Sequence, residues 1–106
     1  MLKQQLANSL QSERAVFLQI AEPCEFSHLP GEVKHVDVYT SYRTVTNEFD
    51  GTKDREAITI AELLLADGEF TQRQVFVVGS ESYMLTELYE QNEVTVKYIV
   101  VSHENV

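Results

Sequence analysis

The 106-residue sequence contains no tryptophan, one cysteine, two prolines and four glycines. The single cysteine, Cys24, cannot form a disulfide within the chain, which argues against a disulfide-stabilised secreted scaffold and is compatible with a reducing compartment. Each glycine stands alone at a predicted turn, so the sequence has no glycine-rich loop of the kind that cradles phosphate. Stability must therefore come from an apolar core, and the 43% hydrophobic fraction suits one globular domain over residues 1–106.

Basic side chains are also scarce. Eight lysines and arginines stand against 17 acidic residues, which gives a formal net charge of −9. No two basic residues are adjacent, so the sequence has no local cluster that could displace counterions from a nucleic acid backbone. After residue 56 there are eight acidic and two basic side chains, so −6 of the net charge lies there. The charge pattern argues against nucleic acid and anionic membranes as partners.

Long apolar runs are missing as well. The longest runs, such as residues 63–66 and 75–78, are far shorter than the roughly 20 residues that a membrane-spanning helix requires. The first ten residues include Gln4, Gln5 and Asn8, where a secretory signal would need an unbroken apolar stretch. We therefore expect a soluble cytoplasmic protein that does not enter a membrane.

The first third of the chain carries three different patterns. Leucines recur four residues apart over residues 2–11, which predicts a short helix. Apolar positions alternate over residues 15–21, which favours a strand, although a buried extension of the first helix also fits. Residues 22–32 contain both prolines and a glycine, and this composition predicts a connecting loop.

The middle of the chain is rich in strand-forming residues. Residues 33–47 are dense in Val, Thr and Tyr and predict one long strand, because β-branched and aromatic side chains fit a pleated surface. Asp50 and Gly51 then supply a turn. Residues 57–66 fit either a strand or a helix.

The dipeptide Asp67–Gly68 favours the strand, because it suits a two-residue hairpin turn. Folding the chain there would place Glu62 opposite Arg73 and Ile60 opposite Val75. A helix that ends at the glycine is the alternative.

The last part of the chain completes the predicted fold. Residues 80–91 predict a helix that a serine caps at its start, and residues 94–101 alternate as a final strand. Together the patterns predict an α+β domain. Its mainly antiparallel sheet has four to five strands, with an N-terminal helix and a helix before the last strand packed on one face.

No group of residues matches a catalytic motif. Ser80 lies between a strand predicted over residues 74–78 and the helix that follows, but it lacks the glycines two residues before and two residues after the serine of a nucleophile elbow. Side chains that could line a pocket between sheet and helix are the candidate ligand-binding residues: His35, Tyr39, Arg43 and Arg73.

A metal site is left open and no cofactor is predicted. Cys24, His28, His35 and Asp37 carry the S, N and O atoms that zinc prefers. Their spacing matches no zinc motif, and a second cysteine is absent.

These observations favour a small, acidic, non-catalytic binding or protein-interaction domain that forms a homodimer or another homo-oligomer. The long Thr- and Tyr-rich strand carries this interpretation, because an extended strand can pair with the edge of another. Two alternatives stay open. One is a small-molecule effector-binding domain or small enzyme with the pocket named above, and the other is an acidic inhibitor or nucleic acid mimic that binds a basic partner.

Overall fold

A computed structural model of the chain describes residues 12–104. In this part of the chain one α-helix, α1 (residues 12–20), precedes six strands. The strands are β1 (Glu22–Phe26), β2 (Val33–Thr46), β3 (Lys53–Leu64), β4 (Val75–Val78), β5 (Glu81–Gln91) and β6 (Thr95–Ser102). One turn of 3₁₀ helix, Leu65–Asp67, follows β3.

The six strands form a closed antiparallel barrel in the order β1-β2-β3-β6-β5-β4. Pairing of β4 with β1 closes it, with Phe26 opposite Phe76. Successive side chains of a strand point to opposite faces, so alternate residues fill the interior. Every strand contributes to that core, which includes Phe26, Val36, Leu63, Phe76, Leu85, Val96 and Val100.

The predicted α+β sheet of four to five strands with two helices is wrong. The described residues form six strands and one helix, and residues 81–91, predicted as a helix, are strand β5. The pairing of β5 with β6 shifts register twice, between Leu85 and Glu87 and between Leu88 and Glu90. Each shift adds a residue and breaks the alternation of apolar and polar positions, so the sequence of a strand resembled a helical face.

The strand predicted over residues 15–21 is also wrong, because residues 12–20 are helical. The alternating apolar residues that suggested a strand are exposed on α1: Val16, Leu18 and Ile20. Only Phe17 of the helix is buried, against Leu64 and Val94. The helix predicted over residues 2–11 lies outside the described residues.

The loop predicted over residues 22–32 contains strand β1. The proline at its second position argues against a strand in the sequence, since proline cannot donate a ladder hydrogen bond. Pro23 pairs with β2 opposite His35, but the pairing of β1 with β4 begins only at Cys24. The missing N–H therefore interrupts no pair with β4.

The hairpin predicted at Asp67–Gly68 does not form. Residues 53–64 are a strand, as favoured, but β3 lies between β2 and β6 and does not pair with β4. Glu62 lies opposite Lys97 on β6, but the Lys97 ammonium forms its ion pair with Glu90 Oε2 at 3.7 Å. Asp67 belongs to the 3₁₀ turn, whereas the predicted turn type requires a positive φ at both central residues.

Three local predictions are confirmed. The Val-, Thr- and Tyr-rich segment forms β2, and the Asp50–Gly51 dipeptide lies in the turn that joins β2 to β3. The final alternating segment forms β6. The patterns of the two strands are local and unbroken over at least eight residues.

Candidate functional site

The β2–β3 hairpin is longer than the barrel requires. β1 pairs with β2 only from Val33 to Val36, and β6 pairs with β3 only from Thr59 onward. In the described part of the chain, residues 41–58 therefore pair only with each other and form a two-stranded arm. Among residues 12–104, no strand pairs with the outer edge of β2 from Asp37 to Thr46.

Side-chain hydrogen bonds order the loop at the end of the arm. The Asn47 carboxamide oxygen accepts a hydrogen bond from the Phe49 N–H at 2.9 Å. The Asp50 carboxylate accepts from both the N–H and the hydroxyl of Thr52, at 2.9 and 2.7 Å. Gly51 adopts a φ of 71°, and its N–H donates to the Asn47 carbonyl. The loop holds Phe49 in solvent, where 99% of the residue is exposed.

Other apolar groups of the arm are also exposed. Tyr42 is 56% exposed and Val45 is 42% exposed, on opposite faces of β2. The Arg55 guanidinium lies over the Tyr42 ring, 4.8 Å from its centroid, which is within the range of a cation–π contact. The arm therefore presents aromatic and aliphatic surface beyond the barrel.

Arg43 connects the arm to the barrel. Its Nε donates to Glu56 Oε2 at 2.9 Å on the neighbouring strand. Its Nη1 lies 3.7 Å from Glu87 Oε1 on β5. Both pairs are solvent-exposed, so each adds little stability.

Three of the four predicted ligand-binding residues share one face of β2. His35, Tyr39 and Arg43 lie four residues apart, so their side chains point to the same side of the strand, opposite the buried Val36. The Tyr39 hydroxyl lies 3.5 Å from Glu62 Oε1, and burial together with the Glu62 charge raises the pKa of Tyr39 to about 12. The fourth residue, Arg73, lies before β4 and lines a hollow that contains none of the other three.

The four metal candidates are dispersed. Cys24 points into the barrel core, where burial and the nearby Asp67 raise the pKa of its thiol to about 12. His28 follows β1, whereas His35 and Asp37 lie on β2. Burial, followed by the charges of nearby glutamates, raises the pKa of Asp37. Across residues 12–104, no three His, Cys, Asp or Glu side chains come together in a way that could hold a metal ion.

The exposed Phe49 was not among the predicted site residues. Its signal in the sequence is a lone aromatic residue inside the polar turn segment Asn47–Thr52. A turn that joins two strands is expected to lie at the surface, so an aromatic side chain in it is expected to be exposed.

Comparisons with known proteins add no relative. No family model matches the chain, and the curated proteins include no match. Among the residues that the structure describes, no helix combines the length and apolar character needed to cross a membrane. The features that define this protein are therefore its small closed barrel and the projecting arm.

Proposed function

We propose that this chain is a non-catalytic protein-interaction domain that forms a homodimer through the free edge of β2. The observation that carries the proposal is the edge from Asp37 to Thr46, which pairs with no strand in the described part of the chain. Ten residues of strand span about 33 Å and present unpaired N–H and C=O groups along their length.

The composition of this edge supports pairing. Natural proteins protect a free edge with lysine, proline, bulges or short length. From Asp37 to Thr46 the strand has no lysine and no proline, and its charged residues are Asp37 at one end and Arg43. Glu56 and Glu87 hold that guanidinium. The pairing of β2 with β3 keeps one register over eleven residue pairs, so no bulge bends the edge away.

A second copy is the partner that suits this edge. Two antiparallel β2 edges related by a twofold axis can pair so that each contact occurs twice. The two arms then form one four-stranded sheet, in which each strand has a neighbour. Exposed groups such as Tyr42 and Val45 gain contacts beside the new seam.

The net charge of −9 opposes association of two copies. Salt screens that repulsion, because the Debye length falls from about 30 Å at 0.01 M to about 8 Å at 0.15 M. Dimerisation is therefore expected to strengthen as NaCl rises from 0.02 to 0.3 M.

Sedimentation velocity of the full chain between 1 µM and 1 mM tests the proposal. The wild-type protein should show a concentration-dependent monomer–dimer equilibrium. Thr44→Lys places a charge on the edge and should weaken the dimer at least tenfold. Thr71→Lys makes the same change at an exposed site outside the arm and should leave it unchanged. A strict monomer over this range, or equal effects of the two variants, would contradict the proposal.

A further inference from the structure

A shallow hollow lies on the barrel away from the arm. Three segments surround it: the turn after β1, the residues before β4, and the end of β6. Its volume is about 410 Å³, and it is lined by Ser27, His28, Gln72, Arg73, Gln74, Val75 and His103. The lining has no carboxylate, although acidic residues outnumber lysine and arginine by 17 to 8 in the whole chain.

The Arg73 guanidinium has no acidic partner within ion-pair distance in the described residues. Among the described residues Arg14, Lys53 and Arg55 also have none, whereas Lys34, Arg43 and Lys97 each lie within 4.0 Å of a glutamate oxygen. Arg73 differs from the other unpaired basic residues in lining a hollow. Arg73 is exposed and lies beside two imidazole side chains, so its charge is available to a ligand.

The backbone at Arg73 is in the left-handed region. Its φ is 74°, the only positive value at a non-glycine position among residues 12–104. The Arg73 N–H donates to the Leu85 carbonyl at 2.7 Å, and the Leu85 N–H donates to the Gln74 carbonyl at 2.9 Å. These bonds to β5 fix the conformation. Glycine would adopt this conformation without steric cost, whereas it disfavours an arginine side chain.

Neighbouring groups are also held in place. The Gln74 carboxamide oxygen accepts a hydrogen bond from the Thr71 N–H at 3.1 Å, which leaves the amide NH₂ free to donate. The His28 ring meets the buried Phe26 ring edge-on, with 5.5 Å between their centroids. The lining of the hollow therefore includes side-chain donors from three segments of the barrel, beside apolar surface.

We propose that this hollow binds a phosphate group. A planar guanidinium donates two parallel hydrogen bonds to two phosphate oxygens, and imidazole, amide and hydroxyl donors can reach the remaining oxygens. His28, Arg73 and Gln74 line the same hollow and carry donor groups that a tetrahedral anion can accept from. The phosphate can be free or part of a phosphomonoester, because the same donors recognise both. The site is independent of the proposed dimer contact.

Phosphate binding can be measured on the full chain at constant ionic strength. Inorganic phosphate and ribose 5-phosphate are titrated against matched NaCl, with the melting temperature and the imidazole NMR signals as readouts. Phosphate should raise the melting temperature beyond the effect of chloride and should shift the signals of His28 and His103. Tighter binding of either probe supports the site and identifies the better source of phosphate.

Two variants at one position separate binding from folding. Arg73→Gly should raise the melting temperature of the phosphate-free protein and weaken phosphate binding at least tenfold. Arg73→Lys should retain part of the binding. Lys53→Ala removes an exposed positive charge on the arm and should leave binding unchanged. The proposal is overturned if neither probe shifts the imidazole signals, or if Arg73→Gly binds phosphate as the wild type does.

Discussion

Tyr98 connects the barrel core to the segment between β3 and β4. Its ring lies in the core, and its hydroxyl donates to the Phe70 carbonyl at 2.7 Å. Phe70 in turn packs against Phe26, with 5.1 Å between the ring centroids. This buried polar contact therefore helps to hold a segment that has no strand of its own, and burial raises the pKa of the Tyr98 hydroxyl.

Substituting Tyr98→Phe should lower the free energy of unfolding by about 1 to 2 kcal/mol, because the buried Phe70 carbonyl loses its donor. Urea unfolding followed by circular dichroism measures the change. Tyr42→Phe is the matched control. Tyr42 is exposed and keeps its ring beneath Arg55, so its loss should stay below about 0.5 kcal/mol. Equal losses in the two variants would show that the Tyr98 hydrogen bond does not stabilise the fold.

The elements of this fold differ in how far local sequence specifies them. β2 and β6 are long and lie on uninterrupted patterns, so composition and alternation predict them. β5 is interrupted by two register shifts, and β1 is short and contains a proline. Helix α1 buries one side chain, Phe17, so its apolar pattern does not describe a core-facing stripe. Where contacts with distant strands determine which residues are buried, the local pattern of apolar residues does not predict the type of element.

The same limit applies to the candidate site. Alternation along β2 was enough to place His35, Tyr39 and Arg43 on one face. The hollow around Arg73 also needs His28 and His103, which lie 75 residues apart and meet because β1, β4, β5 and β6 are neighbours in the barrel. No local sequence pattern indicates that these residues lie close together.

The turn of the arm tests how strongly a single glycine determines the conformation of the β2–β3 connection. Gly51 has a φ of 71°, and a Cβ added there would meet nothing within 4 Å. Gly51→Ala should therefore lower the free energy of unfolding by about 1 kcal/mol through backbone conformation alone. Gly51→Asn should cost less, because asparagine tolerates the left-handed region. Urea titration of both variants checks the order, and a larger loss for asparagine than for alanine would be the contrary result.

At the scale of the whole molecule, barrel closure depends on pairing between segments that are far apart in sequence. β1 and β4 pair across about fifty residues, with Phe26 opposite Phe76. Loop-closure entropy opposes such contacts until both strands are in place. Sequence patterns predict single strands but do not state which strands are neighbours, so an open sheet was expected where a closed barrel forms.

The barrel also determines how stability should respond to alkaline solution. Burial, followed by nearby acidic charges, raises the pKa of Cys24 and of Tyr39 to about 12. In the unfolded chain these groups titrate near ~8.5 and ~10. Between about pH 9 and 12 the folded protein therefore binds more protons than the unfolded chain. Since stability falls with pH wherever the folded state holds more protons, the protein should lose stability across this window.

Urea unfolding at pH 7.5, 9, 10 and 11 measures this loss. Each retained proton contributes a slope of at most about 1.4 kcal/mol per pH unit. Cys24→Ala should reduce the slope from about pH 9 upward, and Tyr39→Phe should reduce it from about pH 10 upward, because each removes one titrating group. In the native protein at pH 8.5, Cys24 should also react with iodoacetamide far more slowly than in urea, since only the thiolate attacks. Constant stability from pH 8 to 11, together with rapid alkylation of the native thiol, would mean that folding does not raise the pKa of these two groups.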